Sequence, residues 1–471
     1  MTHTQSPTRG GGQAAGAPGG PGAPRRRPAW TETVLRMRAS AGTEPGRLRI
    51  IGAVLAVLVL AFGAATAWQI SARATATDHV LHHSGPLSNN AAEIYRSLAD
   101  ADATVAGGFL AGGQEPRTAT DRYNADIRKA AELITEAAAS SDGSAVATEQ
   151  ITELNRQLPY YTKLVATAQA DGLQGLPLGG AYLRFADQQM QQKGGLLDAA
   201  DKLYQAETDR LNADYADAKA LPWVAWALGA AALVALVWAQ RRHYRRTNRV
   251  FNQGMLAAST ACAVALLWLV VGHSVARSEL SDSYAHGARS MQVLNNARIE
   301  VLQARGNENL TLVARGSGAA YETSFSDGMD KLAGAQSAGN GGELAQALAL
   351  ADTAKGRTPV QQAITSMKTW RERHTAERAK DDNGDFTTAV AQVIGGKAGD
   401  GTTVTATTAE CFNAVDTSLA TAVKVEQDEF RAAADNGRSA MALLPYGAAV
   451  LAVLAAAGAL LGIGRRLAEY R

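Results

Sequence analysis

The stretch IIGAVLAVLVLAFGAATAWQI, Ile50–Ile70, contains no Asp, Glu, Lys or Arg. A helix needs about 20 mostly apolar residues to cross the hydrocarbon core of a bilayer, so this stretch reads as a membrane span. Three more stretches share the property: Leu221–Gln240, Val250–Ala276 and Ala440–Gly464. Any one of them alone also reads as a buried helix of a soluble protein. Four in a chain of 471 residues predict an all-α, four-pass membrane protein. Ala72-Arg73-Ala74 resembles a signal-peptidase site, but the polar preface 1–49 and the full length of the run favour an uncleaved span.

The charges are segregated around these spans. The formal net charge is only +2. Residues 1–49, 241–249 and 465–471 nevertheless hold 16 of the 46 basic residues and 3 of the 44 acidic ones, a surplus of 13 positive charges. The remainder therefore carries an excess of 11 negative charges. Excess Lys and Arg marks the cytoplasmic side. Both termini and the 241–249 loop are then inside, and the two long segments, 71–220 and 277–439, are extracytoplasmic. Trp68, Trp223, Trp226, Trp268 and Tyr446 fall towards the outer ends of their spans and Trp238 at an inner end, where amphipathic rings prefer the headgroup layer. A near-neutral chain with an acidic exterior argues against nucleic acid as a partner and for membrane lipid.

The tail 1–49 is rich in Gly, Pro, Ala and Arg, and reads as a disordered basic anchor beside anionic lipid. The two outer segments read as one unit used twice. Leu87-Ser88-Asn89-Asn90-Ala91 has its counterpart in Val293-Leu294-Asn295-Asn296-Ala297, and Leu197-Asp198-Ala199-Ala200-Asp201 in Phe412-Asn413-Ala414-Val415-Asp416. Apolar residues recur at heptad spacing. Leu87, Ala91, Ile94, Leu98, Ala101 and Val105 form one stripe; Leu183, Ala186, Met190, Lys193, Leu197, Ala200, Tyr204, Glu207 and Leu211 form another. Breaks at Gly112–Pro116, Ser140–Ser144 and Asp171–Gly180 cut the first segment into four helices. Breaks near Arg315–Ala319, Ala338–Gly342 and Asp381–Thr403 do the same in the second, with a kink at Gly356–Pro359 and a short extra helix over Asp385–Gly395. The expected fold is an internally duplicated protein with two antiparallel four-helix bundles outside the membrane. The first and last helix of each bundle should run on into the spans, with a kink at Gly85-Pro86.

No motif for catalysis is found. There is no GxxxxGK(S/T), HExxH or GxSxG, so an enzyme is not expected and no cofactor is implied. His79 and His83 have ligand spacing on a helix, but no third ligand accompanies them, so no metal site is expected. Cys262 lies within a span and Cys411 in an outer segment, too far apart for a disulfide. The spans carry no Asp, Glu, Lys or Arg at mid-depth, which disfavours transport. Gly458 and Gly462 have the GxxxG spacing of close helix packing, against the plainer reading of an Ala-rich span. Glu207 and Glu426 fall on the seam of the last helix of each unit, each with an acid two residues on, Asp209 and Asp428. They read either as exposed residues near a fraying end, the favoured option, or as a bistable polar layer in the bundle, since a buried carboxylate is costly unless paired. Arg184 and Asp187 read as a pair on a solvated helix face. The loop arginines Arg241, Arg242, Arg245, Arg246 and Arg249 read equally as a topology determinant and as a docking site for an acidic inner partner.

Paired spans around a helical outer domain resemble the sensing half of bacterial chemoreceptors and sensor kinases. The inner parts of this chain are too short to hold the output module of those proteins. The whole architecture over residues 47–471 is similar to the actinobacterial GlnX family. The resemblance rests on four spans, two helical outer units, and the stretches Gly179-Gly180-Ala181-Tyr182-Leu183-Arg184 and Leu203-Tyr204-Gln205-Ala206-Glu207. It implies a signal relay that joins a GlnH-like solute-binding lipoprotein outside to a PknG-like serine/threonine kinase inside, in amino-acid sensing. In such a relay the loops Gly112–Pro116, Asp171–Gly180 and Gly395–Thr402 would receive the outer partner. A structural alternative is an envelope or cell-division scaffold, self-associating through its bundles and spans as a homo-oligomer. A third reading, direct small-molecule sensing, requires Arg and Thr converging on a pocket between helices, and no such cluster is evident in the sequence.

Overall fold

The computed structural model describes residues 44–112, 117–140, 144–174, 178–247, 252–334 and 341–468. Most of the basic tail, the loop tips 113–116 and 175–177, Arg249 and residues 469–471 lie outside the described residues. Four helical stretches each contain a run long and apolar enough to cross a membrane, as the composition required: Gly46–Leu110, Leu178–Arg245, Gln253–Val313 and Thr408–Arg465.

Helix α1 (Glu44–His79) passes through a π-helical segment, Val80–Ser84, into α2 (Gly85–Leu110). Pro86 accounts for the segment. Proline has no N–H and its ring crowds the carbonyl four residues back, so an α-helix cannot pass through it unchanged. One wider turn absorbs the misfit. The Gly85 N–H donates to the Val80 carbonyl, and a Cβ at Gly85 would meet that oxygen at 2.4 Å. The expected kink is therefore a π turn. The first segment continues as α3 (Arg117–Ser140), α4 (Ala145–Leu173), α5 (Leu178–Gln191) and α6 (Leu196–Lys219). The expected fourth helix is thus two, because Gly194 sits at φ +80° in the left-handed region that glycine adopts at little cost. Lys193, assigned above to the apolar stripe, lies exposed in this break.

Helix α7 (Trp223–Thr247) is apolar to Gln240 and then carries the first loop arginines as an extra helical turn. What reads as a loop from Arg241 is helix as far as Thr247. Beyond it, α8 (Gln253–Asp282) leads through a second π segment, Ser283–Ala288, into α9 (Arg289–Val313). Then come α10 (Ala319–Ala333), α11 (Glu343–Leu350), α12 (Ala354–Asp382) and α13 (Phe386–Ile394), the expected short helix, capped by Asp385. Gly356–Pro359 lies within the first turns of α12, whose N-cap is Thr353. Two short antiparallel strands that no periodicity signalled follow, β1 (Gly396–Lys397) and β2 (Thr403–Val404). The chain ends in α14 (Thr408–Ala442), opened by a Thr407–Glu410 capping box, and α15 (Leu444–Ala468).

Continuity with the spans holds for α1–α2 and α8–α9 only. Between α6 and α7, Ala220 is extended ahead of Pro222, and between α14 and α15 Leu443 leaves the helix ahead of Pro445. Pro222 and Pro445 have no N–H to donate to the helical ladder, so each break falls at a proline near the end of the apolar run.

In the membrane-length part, α1 packs on α7 and α15, and α8 on the same two helices. Trp68, Trp223, Trp238, Trp268 and Tyr446 stay exposed around them. In the other part, α2 packs directly against α9, so the cores of the two segments merge into one apolar cluster running from Ala91 to Ala422. Leu87, Ala91, Ile94, Leu98, Ala101 and Val105 are all buried, as their spacing required.

Gly458 and Gly462 do pack closely, but against this chain's own α8. A Cβ at Gly254 would come within 2.6 Å of the Gly458 carbonyl oxygen and the Gly462 Cα, and the Asn252 Nδ2 donates to the Gly462 carbonyl at 2.8 Å. Gly254→Val is expected to push α8 and α15 apart and lower the melting temperature of the solubilised protein by several degrees. An unchanged melting curve would show that the glycines serve no such contact.

Candidate functional site

The contact between α2 and α9 borders a half-open cavity of about 350 Å³, within the usual range of small-molecule sites. Small residues open the space: Ala103, Gly107, Gly108 and Ala111 from α2 and its cap, with Ala119 from α3. Polar groups from four helices line it: Asp100 and Thr104 (α2), Arg122 (α3), Arg305 and Asn309 (α9), and Asn413 (α14), beside the Phe412 ring.

Asp100 is buried and anchors the wall. The Arg122 guanidinium donates to its Oδ2 from Nε at 3.1 Å and from Nη2 at 3.0 Å, and Nη1 reaches the Asn413 Oδ1 at 3.3 Å. Arg96 stands 3.5 Å from Asp100, but its bidentate partner is Glu93, at 2.7 and 2.9 Å. Burial, and then the negative charge of Asp100, push the neighbouring Asp126 carboxyl up to about 7. Asn309 is fully buried. Its Nδ2 donates to the Ala103 carbonyl at 3.0 Å, joining α9 to α2, while its Oδ1 has no hydrogen-bond partner. A buried acceptor left unpaired costs about 1–3 kcal/mol.

Behind the cavity lies a charged network in the second segment. Glu308 is wholly buried. It accepts from Arg305, from the Thr408 hydroxyl at 3.0 Å and from the Trp370 Nε1 at 2.9 Å, with the His374 Nδ1 at 3.1 Å. The other ring nitrogen of His374 faces Glu322 at 3.0 Å. Burial alone would lower the His374 pKa; hydrogen bonds to Glu308 and Glu322 outweigh it and raise it to about 9. Glu377 is buried with its Oε2 3.5 Å from His374 and no hydrogen bond to either oxygen, and burial lifts it to about 8.

Other polar contacts join the segments. Gln303 donates to the Tyr95 hydroxyl at 2.6 Å. The Tyr321 hydroxyl donates to Asp187 at 3.3 Å. Asp187 is buried and is not paired with Arg184 on a solvated face; burial and the charge of Asp187 hold the nearby Asp102 carboxyl well above its usual range.

Glu207 and Glu426 are not exposed at a fraying end. Their residual exposures are 3% and 1%, and the Oε2 of each has no hydrogen-bond partner. Burial raises the Glu207 pKa, opposed by Arg210 and by His83 of the first π segment. Burial, and then the charge of Glu429, raise Glu426 to about 7, opposed by His286 of the second π segment. The two π segments meet on one aromatic residue of α14. A Cβ at Gly85 would lie 3.0 Å from the Phe430 ring, and one at Gly287 would lie 2.7 Å from the Phe430 Cβ. The Ser283 hydroxyl donates to the Phe430 carbonyl at 3.1 Å and shares a 2.6 Å hydrogen bond with Tyr215.

Of the loop arginines, Arg241 and Arg245 are exposed on α7 and Arg242 stacks over Trp238, 5.5 Å from the ring centroid. Nothing is described of the Arg246 side chain. The His79 and His83 rings lie 6.1 Å apart, and no group of three or more metal-ligand side chains occurs among the described residues. Asp100, Arg122, Arg305, Glu308, Asn309 and His374 were not singled out from the sequence. The consecutive run Arg305-Gly306-Asn307-Glu308-Asn309 in α9 is the sequence signal that marks the site, and it is buried throughout.

These features describe a helical membrane protein with a polar cavity outside its membrane-length helices, an arrangement suited to sensing. In agreement, residues 76–216 match the family model of an actinobacterial sensor domain. The match begins just after the first membrane-length apolar run and ends just before the break at Ala220–Pro222. It contains Asp100, Arg122 and Glu207, whereas Arg305, Asn309 and Phe412 lie in the second segment. No curated protein and no solved structure matches the chain.

Proposed function

We propose that this chain is a non-enzymatic transmembrane signal relay, with both termini cytoplasmic and two extracytoplasmic, internally duplicated helical units. In this reading it couples amino-acid sensing outside, through a GlnH-like solute-binding lipoprotein, to a PknG-like serine/threonine kinase inside. One observation carries the reading. Both walls of the polar cavity, α2 and α9, run unbroken through a π turn into a membrane-length helix. A change at the cavity therefore has a rigid path to the far side, of the kind that small displacements of packed helices provide. The shared seat on Phe430 couples the two paths. Matching Glu and His pairs at the two π segments support the duplication. The scaffold alternative draws no support from Gly458 and Gly462, which are occupied within the chain.

Capture of the tagged protein from native membranes by crosslinking, with mass spectrometry, tests the partners. A binding lipoprotein and a kinase are expected together. Recovery of division or cell-wall proteins alone would favour a scaffold. On the inner side, replacing Arg241, Arg242 and Arg245 by Gln is expected to abolish signalling while membrane insertion survives. Full signalling by the correctly inserted variant would remove these arginines from the relay.

A further inference from the structure

We propose that the cavity between the two segments binds a small zwitterion directly, a molecule bearing one carboxylate and one protonated amine. The proposal rests on the sensor reading of this site and goes beyond it, because it needs no binding protein to deliver the ligand. Two guanidinium groups converge on one wall: Arg122 and Arg305 lie 5.6 and 5.8 Å from the centroid of the Phe412 ring. Acceptors stand with them: the Asp100 carboxylate, paired to Arg122, and the unpartnered Oδ1 of the buried Asn309.

The charges are already balanced. Arg305 is taken by Glu308, Arg96 by Glu93, and Arg122 by Asp100. A ligand with a carboxylate alone would pull Arg122 away and leave Asp100 short of its partner. A ligand with an amine alone would do the reverse to Arg122. In the first case the stranded charge is the buried Asp100, the costlier outcome; in the second it is the partly exposed Arg122, which loses its counter-charge. A zwitterion inserts into the Arg122–Asp100 pair and satisfies both halves, its carboxylate on the guanidinium and its ammonium on Asp100. A remaining N–H has the Asn309 Oδ1 to meet. The side chain of Arg122 is about one third exposed while Asp100 is nearly closed off, so Arg122 is the half of the pair that is free to swing. The small residues that open the cavity and its volume suit a ligand of a few non-hydrogen atoms.

The test is calorimetric titration of the full-length protein in lipid nanodiscs with each of the twenty standard amino acids, acetate and ethanolamine. At least one amino acid is expected to bind saturably, with acetate and ethanolamine at least tenfold weaker. Arg122→Gln is expected to weaken binding at least tenfold. Ala119→Trp, which fills the cavity while every charged residue is retained, is expected to abolish it, with the melting curve of the unliganded protein retained. Binding of acetate as tight as that of any amino acid, or unchanged affinity in both variants, would overturn the proposal. So would the absence of binding by any amino acid; a lipoprotein captured in that case would leave the relay standing without a direct site. Direct binding with no inner partner captured would keep the site and remove the relay.

Discussion

Replacing Glu308 by Ala is expected to destabilise the protein by about 3–5 kcal/mol, the typical cost of removing one member of a buried charged set. Glu308 has no exposed surface, and Arg305, His374, Trp370 and Thr408 all direct polar groups at it. Truncation strands the Arg305 guanidinium in the interior and leaves the His374 imidazolium with Glu322 and Glu377 only. It also leaves the Trp370 N–H without its acceptor, and Trp370 is among the largest fully buried side chains. Thermal melting of the solubilised protein followed by circular dichroism reads the effect. Glu308→Gln keeps one acceptor oxygen, for Trp370 on the Oε1 side or for Thr408 on the Oε2 side, so it should lose less. A melting temperature for Glu308→Ala within a degree of the parent would mean that the network is relaxed by solvent. Because Arg305 also lines the cavity, the variant is expected to disturb the candidate site as well as the fold.

Glu426→Gln is expected to act in the opposite direction, and only in part of the pH range. Its folded-state pKa is raised from 4.5 to about 7 by burial and by Glu429. The folded protein therefore keeps a proton that the unfolded chain releases. Its contribution is fully present below about pH 4.5 and is lost as the pH rises through about 7. At pH 8 the parent carries a buried carboxylate with one unpaired oxygen, and the glutamine variant does not. Allowing for solvent screening, the gain is about 1–2 kcal/mol at pH 8. At pH 4.5 the two proteins should melt together. A parent melting temperature that stays flat between pH 5 and pH 8 would sink this account. Glu207, similarly buried at the other π segment, predicts the same sign of effect. Signalling that changes in either variant at constant stability would tie these carboxylates to the relay.

Much of the architecture is legible in the residues alone. The four apolar lengths, the gaps at Gly112–Pro116 and Ser140–Ser144, and the short helix after Asp385 follow from local rules: hydrocarbon thickness, glycine and proline geometry, and capping. The stripe from Leu87 to Val105 is buried as its spacing demands. Where local chemistry was misjudged, the cause is local too. Pro222 and Pro445 interrupt helices that the apolar pattern alone would continue, and Gly194 splits another.

The site is a different matter. A 3.6-residue period says which face of a helix is buried and nothing about what buries it. On that basis Arg305, Glu308 and His374 are ordinary polar residues, and Glu207 and Glu426 look like fraying ends. Their burial comes from contacts between residues far apart in sequence: α2 laid against α9, α14 packed on α9 and α12, and Phe430 seated on two π turns. Asp100 and Arg122 become one wall of a cavity only because Asn309, Phe412 and Asn413 supply the other. The sequence by itself determined the spans, most of the breaks and the inward faces, because these depend on each residue's own transfer energy and backbone limits. The tertiary structure alone decided which charges are buried together and where the cavity lies, because those depend on the partner that each face meets.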